Sequence, residues 1–165
     1  MTLLFTHPSA HSHVTPPSHP EQVARLHAVL NALDGLDLTR RDAPEADPAD
    51  ILRGHDPAYL AQLDRKTPDD GWSMLDADTY LSPGSLTAAR HAVGGICAAV
   101  DAVLAGEDGN AFLAMRPPGH HAERARAMGF CIFSTVALGA LRALDHHGLD
   151  RVAVLDFDVH HGNGT

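Results

Sequence analysis

The sequence predicts an α/β protein with a mainly parallel sheet, and three observations support this. Residues 152–155 are apolar at every position, which is typical of a parallel strand covered by helices on both faces. Polar residues follow this strand directly from Asp156, as they follow an earlier predicted strand that ends at Met115. A helical pattern separates the two strands, as in a crossover connection. Because ligands bind beyond the carboxyl ends of such strands, we expect a site where the two polar segments meet.

The remaining elements follow from hydrophobic spacing and from residues that start or stop helices. In chain order we predict a strand at 2–6, a loop through 20, a helix at 21–33, an irregular connection at 36–51, a short helix at 56–63, a loop at 66–76, a long helix at 86–104, a strand at 110–115, an apolar turn at 128–133, a helix from 134 or 135 to 147 and a buried strand at 152–155. The long helix contains Gly94 and Gly95. Each glycine weakens a helix by about 1 kcal/mol, so we expect the pair to serve close packing.

Composition excludes several classes of protein. The 165 residues suit a single domain, and no apolar run approaches the roughly 18 residues of a membrane span. A formal charge of -9 argues against nucleic acid as a direct partner and favours a cationic substrate or a basic protein tail. Two cysteines distant in sequence indicate reduced thiols, and residues 1–5 are too short for a secretory signal. We therefore expect a cytoplasmic protein with no membrane partner.

The polar segment after the last predicted strand has the residue types of a metal site. With extended geometry, Asp156, Asp158 and His160 project to one side and Phe157 and Val159 to the other. Two carboxylates and an imidazole at a buried strand end cost desolvation energy unless they are paired, and a divalent cation pairs them. A salt-bridged or helix-capping cluster is the alternative that the spacing leaves open.

The earlier polar strand end carries two adjacent histidines, His120 and His121. If both strand ends share one cleft, the arrangement is that of a metal-assisted hydrolase, in which an imidazole takes and returns a proton. Asp156 and Asn163 are available to fix the tautomers of the two histidines. Because a carboxylate raises the proton affinity of an imidazole and an amide does not, we expect the two histidines to differ in basicity. A rigid loop with two solvent-facing imidazoles remains the alternative.

Three motifs in this order resemble the zinc-dependent histone deacetylase and acetylpolyamine amidohydrolase family, and most of all its class II and bacterial branch. They are Arg-Pro-Pro-Gly-His-His-Ala at 116–122, Met-Gly-Phe-Cys-Ile-Phe at 128–133 and Asp-Phe-Asp-Val-His-His-Gly-Asn-Gly-Thr at 156–165. Softer matches lie at 19–26, 55–59 and 78–85. The resemblance implies a three-layer αβα arginase/deacetylase-like fold, with residues 1–165 as the amino-terminal part of a single deacetylase domain.

The resemblance also implies roles for individual residues. Asp158 and His160 match zinc ligands, and His120 and His121 match the general base and acid of the family. Asp156 matches the partner of the first histidine and a ligand of a structural cation, which we expect to be potassium.

The substrate contacts implied by the resemblance are Gly129 and Phe130, which match the wall of the acyl-lysine tunnel, and Asp78, which matches a carboxylate at the tunnel rim. Asn163 stands where many members have Asp, which weakens the support for a protonated His121. The family's third zinc ligand and its catalytic Tyr lie beyond these motifs. We therefore expect the 165-residue chain alone to bind zinc weakly and to have little deacetylase activity.

Three functions follow from these observations. The first is removal of acetyl groups from N-acetylated lysine in proteins or from acetylpolyamines. The second is a catalytically incomplete fragment that serves as a binding or scaffold module. The third, an arginase-like manganese ureohydrolase, fits less well, because the tandem histidines are foreign to it. The sequence leaves the substrate and the oligomeric state open.

Overall fold

The computed structural model describes residues 1–165 and contains a three-stranded parallel sheet and a two-stranded antiparallel hairpin. The strands are β1 Thr2–Thr6, β2 Leu38–Asp42, β3 Ser73–Asp76, β4 Thr79–Leu81 and β5 Ala111–Leu113. The helices are α1 Val23–Ala32, α2 Pro48–Leu52, α3 Pro57–Lys66, α4 Ser85–Leu104 and α5 Thr135–Leu141. A π-helical turn, Arg142–His146, continues α5. No helix combines the length and the apolar character that a membrane span requires.

Strand β1 is the centre of the molecule, with β2 and β5 parallel to it on either side. Successive side chains of a strand point to opposite faces. Leu3 and Phe5 accordingly pack with Ala99 of α4 on one face, whereas Leu4 packs with Leu26 of α1 on the other. The predicted α/β class with helices on both faces of a parallel sheet is confirmed.

The largest apolar cluster lies on the far side of α4, where this helix meets α3, β4 and the start of α5. It includes Val93, Cys97, Ile132, Phe133 and Leu138, all buried. The predicted packing role of the paired glycines is confirmed: a Cβ on Gly94 would overlap the carbonyl oxygen of Pro44, and one on Gly95 would lie 2.6 Å from the Leu113 side chain. Helix α4 therefore lies directly against the backbone of the segment that follows β2.

Two segments predicted to be irregular carry regular structure. Residues 36–51 contain β2 and α2, and residues 66–76 end in β3, which pairs with β4. The sequence of β2 is Leu-Thr-Arg-Arg-Asp, which lacks an apolar pattern. Strand β2 pairs with β1 along all five residues. Backbone hydrogen bonds, rather than buried side chains, therefore hold β2 in the sheet.

The prediction of a buried strand at residues 152–155 is wrong in this structure. The segment forms no assigned strand, and Val152 and Leu155 are 39% and 89% exposed. The apolar pattern is that of a buried strand, but no strand pairs with this segment, and β5 pairs with β1 alone. An apolar groove lined by Ile96, Val100 and Ala143 lies against Val152. The two polar segments therefore do not follow adjacent hydrogen-bonded strands.

Candidate active site

The loop after β5 is anchored by a buried ion pair. Arg116 donates from Nε to Glu21 Oε1 at 2.7 Å and from Nη2 to the other carboxylate oxygen, and both side chains are almost inaccessible to solvent. Its Nη1 donates to the carbonyl oxygens of Ala10 and His13, at 2.9 and 2.8 Å. Burial by itself raises the pKa of Glu21, but hydrogen bonds from His13 and Arg116 outweigh it and lower that pKa to about 2. Arg116 thus fixes the start of the loop that carries the tandem histidines.

His120 lies against a carboxylate. Its Nδ1 is 2.9 Å from Asp156 Oδ2, and its ring centroid is 4.1 Å from that of His121. The hydrogen bond from His120 is the main cause of a lowered Asp156 pKa. Because an ionised carboxylate only accepts, Nδ1 of His120 carries the hydrogen, which leaves the Nε2 lone pair free. The structure therefore pairs His120 with the residue that the sequence suggested for it.

His121 lies against an amide that a further carboxylate orients. Its Nδ1 is 2.7 Å from Asn163 Oδ1, and Asn163 Nδ2 donates to Glu123 Oε1 at 2.8 Å. Because Glu123 can only accept, the amide nitrogen faces it, and the amide oxygen accepts from His121. Sequence reasoning missed Glu123, whose single signal was its position two residues after His121.

Asp158 and His160 form an adjacent pair of side chains. Asp158 Oδ1 accepts from the backbone N–H of His160 at 2.8 Å and lies 3.2 Å from His160 Nδ1. The backbone hydrogen bond from His160 is the main cause of a lowered pKa of the Asp158 carboxyl. The rings of His121 and His160 have their centroids 6.0 Å apart. The tandem histidines and the predicted ligands thus occupy one region.

The donor set of this region fits a zinc-type ion. A carboxylate oxygen and an imidazole nitrogen are ordinary zinc ligands, and bonds of about 2.0–2.1 Å in tetrahedral geometry place two ligand atoms about 3.3 Å apart. The separation of 3.2 Å between Asp158 Oδ1 and His160 Nδ1 agrees with this value. The pair supplies two ligands, whereas catalytic zinc sites commonly have three from the protein.

Backbone hydrogen bonds of Gly164, rather than strand pairing, hold the last segment against the histidine loop and the start of α5. The N–H of Gly164 donates to the His120 carbonyl at 2.8 Å, and its carbonyl accepts from Ser134 Oγ at 2.9 Å. A Cβ on Gly164 would overlap the carbonyl oxygen of Ala122, so the close approach requires glycine.

A cleft of about 210 Å³ opens beside the histidine loop and is lined by His120, Asp156 and Asp158 among others. A larger cleft, about 410 Å³, lies elsewhere, between α1 and β5.

The predicted tunnel residues lie beside His121. Gly129 and Phe130 both have positive φ, +55° and +69°, and a Cβ on Gly129 would overlap the His121 ring. The N–H of Phe130 donates to Thr79 Oγ1 at 3.0 Å, and its ring meets that of His19 edge-on with centroids 4.9 Å apart. Gly129 thus lets the backbone pass directly against the imidazole.

Asp78, the predicted rim carboxylate, forms hydrogen bonds with His19 and Thr79. Its carbonyl oxygen accepts from His19 Nε2 at 2.9 Å, and its carboxylate accepts from Thr79 Oγ1 at 3.2 Å. Both partners also contact Phe130. Asp78 is therefore linked to Phe130 through His19 and Thr79, and no hydrogen bond links it to either tandem histidine.

Comparison with known proteins gives a consistent result. The sequence model of the family described as histone deacetylase domain matches residues 19–165 of the chain. A histone deacetylase-like amidohydrolase of Pseudomonas aeruginosa is 47% identical over 148 residues, which are 88% of this chain and 38% of that protein. A probable deacetylase of Methanothermobacter thermautotrophicus is 41% identical over 149 residues, 89% of this chain and 44% of that protein. The human polyamine deacetylase HDAC10 is 40% identical over 154 residues, 87% of this chain and 23% of that protein.

A solved structure is also similar to the chain. The HD domain of HDA15 superimposes with a TM-score of 0.91 at 29% sequence identity, over 99% of this chain and 48% of that one. The mainly parallel three-layer architecture expected from the sequence is therefore confirmed. The chain spans less than half the length of each of these relatives.

Proposed function

The chain belongs to the histone deacetylase family, and from this premise we propose that it contributes to a zinc-dependent amidohydrolase that removes acetyl groups from N-acetylated lysine or polyamines. Family membership supports hydrolase activity of the deacetylase type. The observation that carries the finer proposal is the hydrogen-bonded pair His120–Asp156, which lies with His121 beside Asp158 and His160. This arrangement supports a site in which His120 would act as a base beside a second imidazole and two metal ligands.

Asp158 and His160 would hold the ion, which when bound would act as a Lewis acid on the amide carbonyl. His120 takes the proton of the attacking water at Nε2, and the Asp156 carboxylate stabilises the imidazolium that results. His121 donates from Nε2 when it is protonated, with its Nδ1–H held by Asn163. The water oxygen joins the acyl carbon, and the C–N bond breaks as His121 gives its proton to the leaving nitrogen. The second proton of the water passes to the amine as acetate forms, and exchange with solvent returns His120 to its neutral form and His121 to its protonated form.

The unequal partners of the two histidines support different roles for them. Asp156 contributes a full negative charge behind His120, whereas Asn163 contributes only a dipole behind His121. A carboxylate partner suits His120 to the role of general base, because it offsets the positive charge that develops on the ring during proton transfer. Glu123 fixes the amide of Asn163 and, through it, the tautomer of His121.

The substrate is a cationic molecule that carries an acetylated amine. The formal charge of -9 favours a basic protein tail or a polyamine. The relatives include one named as a polyamine deacetylase, which supports the second option. Gly129 and Phe130 would flank the acyl chain, and the Asp78 carboxylate would accept hydrogen bonds from the substrate at the rim.

We also propose that residues 1–165 form the amino-terminal part of the catalytic domain. The coverage of relatives and the two-ligand metal set support this proposal. Alone, the chain would then act as a binding module with little turnover, which is the second candidate function. A structural potassium ion near Asp156 and a cytoplasmic location stay predictions, which metal analysis and cell fractionation would test.

Acetate release tests the proposal. The protein in its native length is incubated with an acetyl-lysine peptide and with an acetylated polyamine, before and after zinc is removed and restored. We expect turnover that follows zinc and that falls by about 10²- to 10⁴-fold in His120→Ala, the usual contribution of general acid–base catalysis. Zinc-independent turnover, or full activity in His120→Ala, would contradict the proposal.

A further inference from the structure

A second group of metal-ligand side chains lies where α4 ends beside the turn that follows α5. Asp101 belongs to the last turn of α4, His146 ends the π-helical turn, and His147 caps it. One ligand atom from each of the three residues lies within 4.8 Å of the other two. The group shares no residue with the candidate active site, and the proposed function does not use it.

The geometry of the group suits a shared ion. His147 Nε2 lies 2.7 Å from Asp101 Oδ1. An ion bound by both atoms would replace the hydrogen that they share and would move the two atoms to about 3.3 Å apart. The rings of His146 and His147 have centroids 4.9 Å apart and are nearly perpendicular, at 85°. The Asp101 and His147 side chains are 37% and 25% exposed, and His146 is exposed as well. Solvent can therefore enter and complete the coordination of the ion.

The surroundings hold the carboxylate in place and favour positive charge. Arg142 donates from Nε and Nη2 to Oδ1 and Oδ2 of Asp101, at 3.0 and 2.8 Å. The second lone pair of Oδ1 faces His147, and that of Oδ2 stays available for another contact. Arg142 and Arg53 both pair with Asp50, and Arg53 also pairs with Asp145. The three carboxylates outnumber the two guanidinium groups, so the region is negative when its imidazoles are neutral.

We propose that Asp101, His146 and His147 bind a divalent transition-metal ion of the zinc class. Two imidazole nitrogens and one carboxylate oxygen are a ligand set for zinc, cobalt or nickel, whereas calcium and magnesium prefer oxygen ligands alone. A bound ion ties the end of α4 to the end of α5. It is therefore a structural metal site at the surface, separate from the ion that Asp158 and His160 would hold.

Metal binding to the Asp158→Ala/His160→Ala variant tests this proposal, because that variant removes the candidate catalytic ligands. Zinc binding is measured by titration calorimetry, and circular dichroism checks the fold of every variant. We expect this variant to bind about one equivalent of zinc. Adding His146→Ala/His147→Ala should lower the zinc affinity by more than about tenfold, because loss of even an outer partner of a ligand lowers metal affinity about 10- to 100-fold. The matched control is His11→Ala/His27→Ala, which removes another contacting pair of histidines and leaves binding unchanged.

Nitrogen NMR of the imidazoles tests the site with the three proposed ligands unmodified, should a substitution disturb the fold. In the Asp158→Ala/His160→Ala variant, the first equivalent of zinc is expected to shift the ring nitrogens of His146 and His147. Equal zinc affinity with and without these two histidines would overturn the proposal. An equal loss in the control variant, or shifts spread over all surface histidines, would overturn it as well, because binding would then be nonspecific.

Discussion

The substitution Arg116→Met removes one partner of the buried ion pair and leaves Glu21 without its main counter-charge. Loss of one member of a buried pair costs about 3–5 kcal/mol, because an uncompensated charge stays in the interior. The pKa of Glu21 gives a magnitude of the same order: His13 and Arg116 together lower this pKa from 4.5 to about 2, which corresponds to about 3 kcal/mol. Because this pKa is lowered on folding, the contribution is present above pH 4.5 and is lost as the pH falls toward 2.

Urea denaturation followed by circular dichroism measures this effect on the 165-residue chain. At pH 7 we expect Arg116→Met to lower the free energy of unfolding by about 3–5 kcal/mol. The double variant Glu21→Gln/Arg116→Met, which removes both charges, should recover much of the loss. The control Arg124→Met breaks an exposed pair with Asp56 and should cost less than about 1 kcal/mol. Equal costs for Arg116→Met and Arg124→Met would refute the reasoning.

Three further predictions concern the site and the two buried thiols. Gly129→Ala should destabilise the chain by about 1–3 kcal/mol in urea denaturation, since the new methyl group overlaps the His121 ring at a positive φ; an unchanged midpoint would contradict this. Asp156→Asn should lower acetate release by the native-length protein about 10- to 100-fold, because His120 loses its carboxylate; unchanged kcat/KM would count against the assigned base. Cys97 and Cys131 should react with iodoacetamide at pH 8 only after unfolding, because burial raises the pKa of both thiols to about 12; rapid labelling of the native chain would disprove this.

The fold could be predicted where the spacing of apolar side chains reflects which face of an element is buried. Strand β1 and helices α3 and α4 match their predictions within a few residues, since their apolar spacing reflects the faces that they bury. Strand β2 was missed because its backbone pairing, rather than its side chains, places it in the sheet. The segment 152–155 shows the converse case, because an apolar run indicates what a strand would bury but not whether a neighbour pairs with it.

The site could be predicted where its residues share short motifs. The partners Asp156 and Asn163 were found because carboxylates and amides near tandem histidines are the usual means of fixing a tautomer. The pair Arg116–Glu21 could not be found, because its members are 95 residues apart and read as ordinary surface charges. The roles of the predicted ligands and tunnel residues stay predictions.

Paramagnetic NMR tests most directly whether the tandem histidines face an ion held by Asp158 and His160. Cobalt(II) is added to saturation to the His146→Ala/His147→Ala variant, in which the proposed surface site is removed. We expect the ring signals of His120 and His121 to broaden together, and this broadening to disappear when Asp158→Ala/His160→Ala is introduced. Bound cobalt that leaves both rings unchanged, or broadening that persists without Asp158 and His160, would contradict the account.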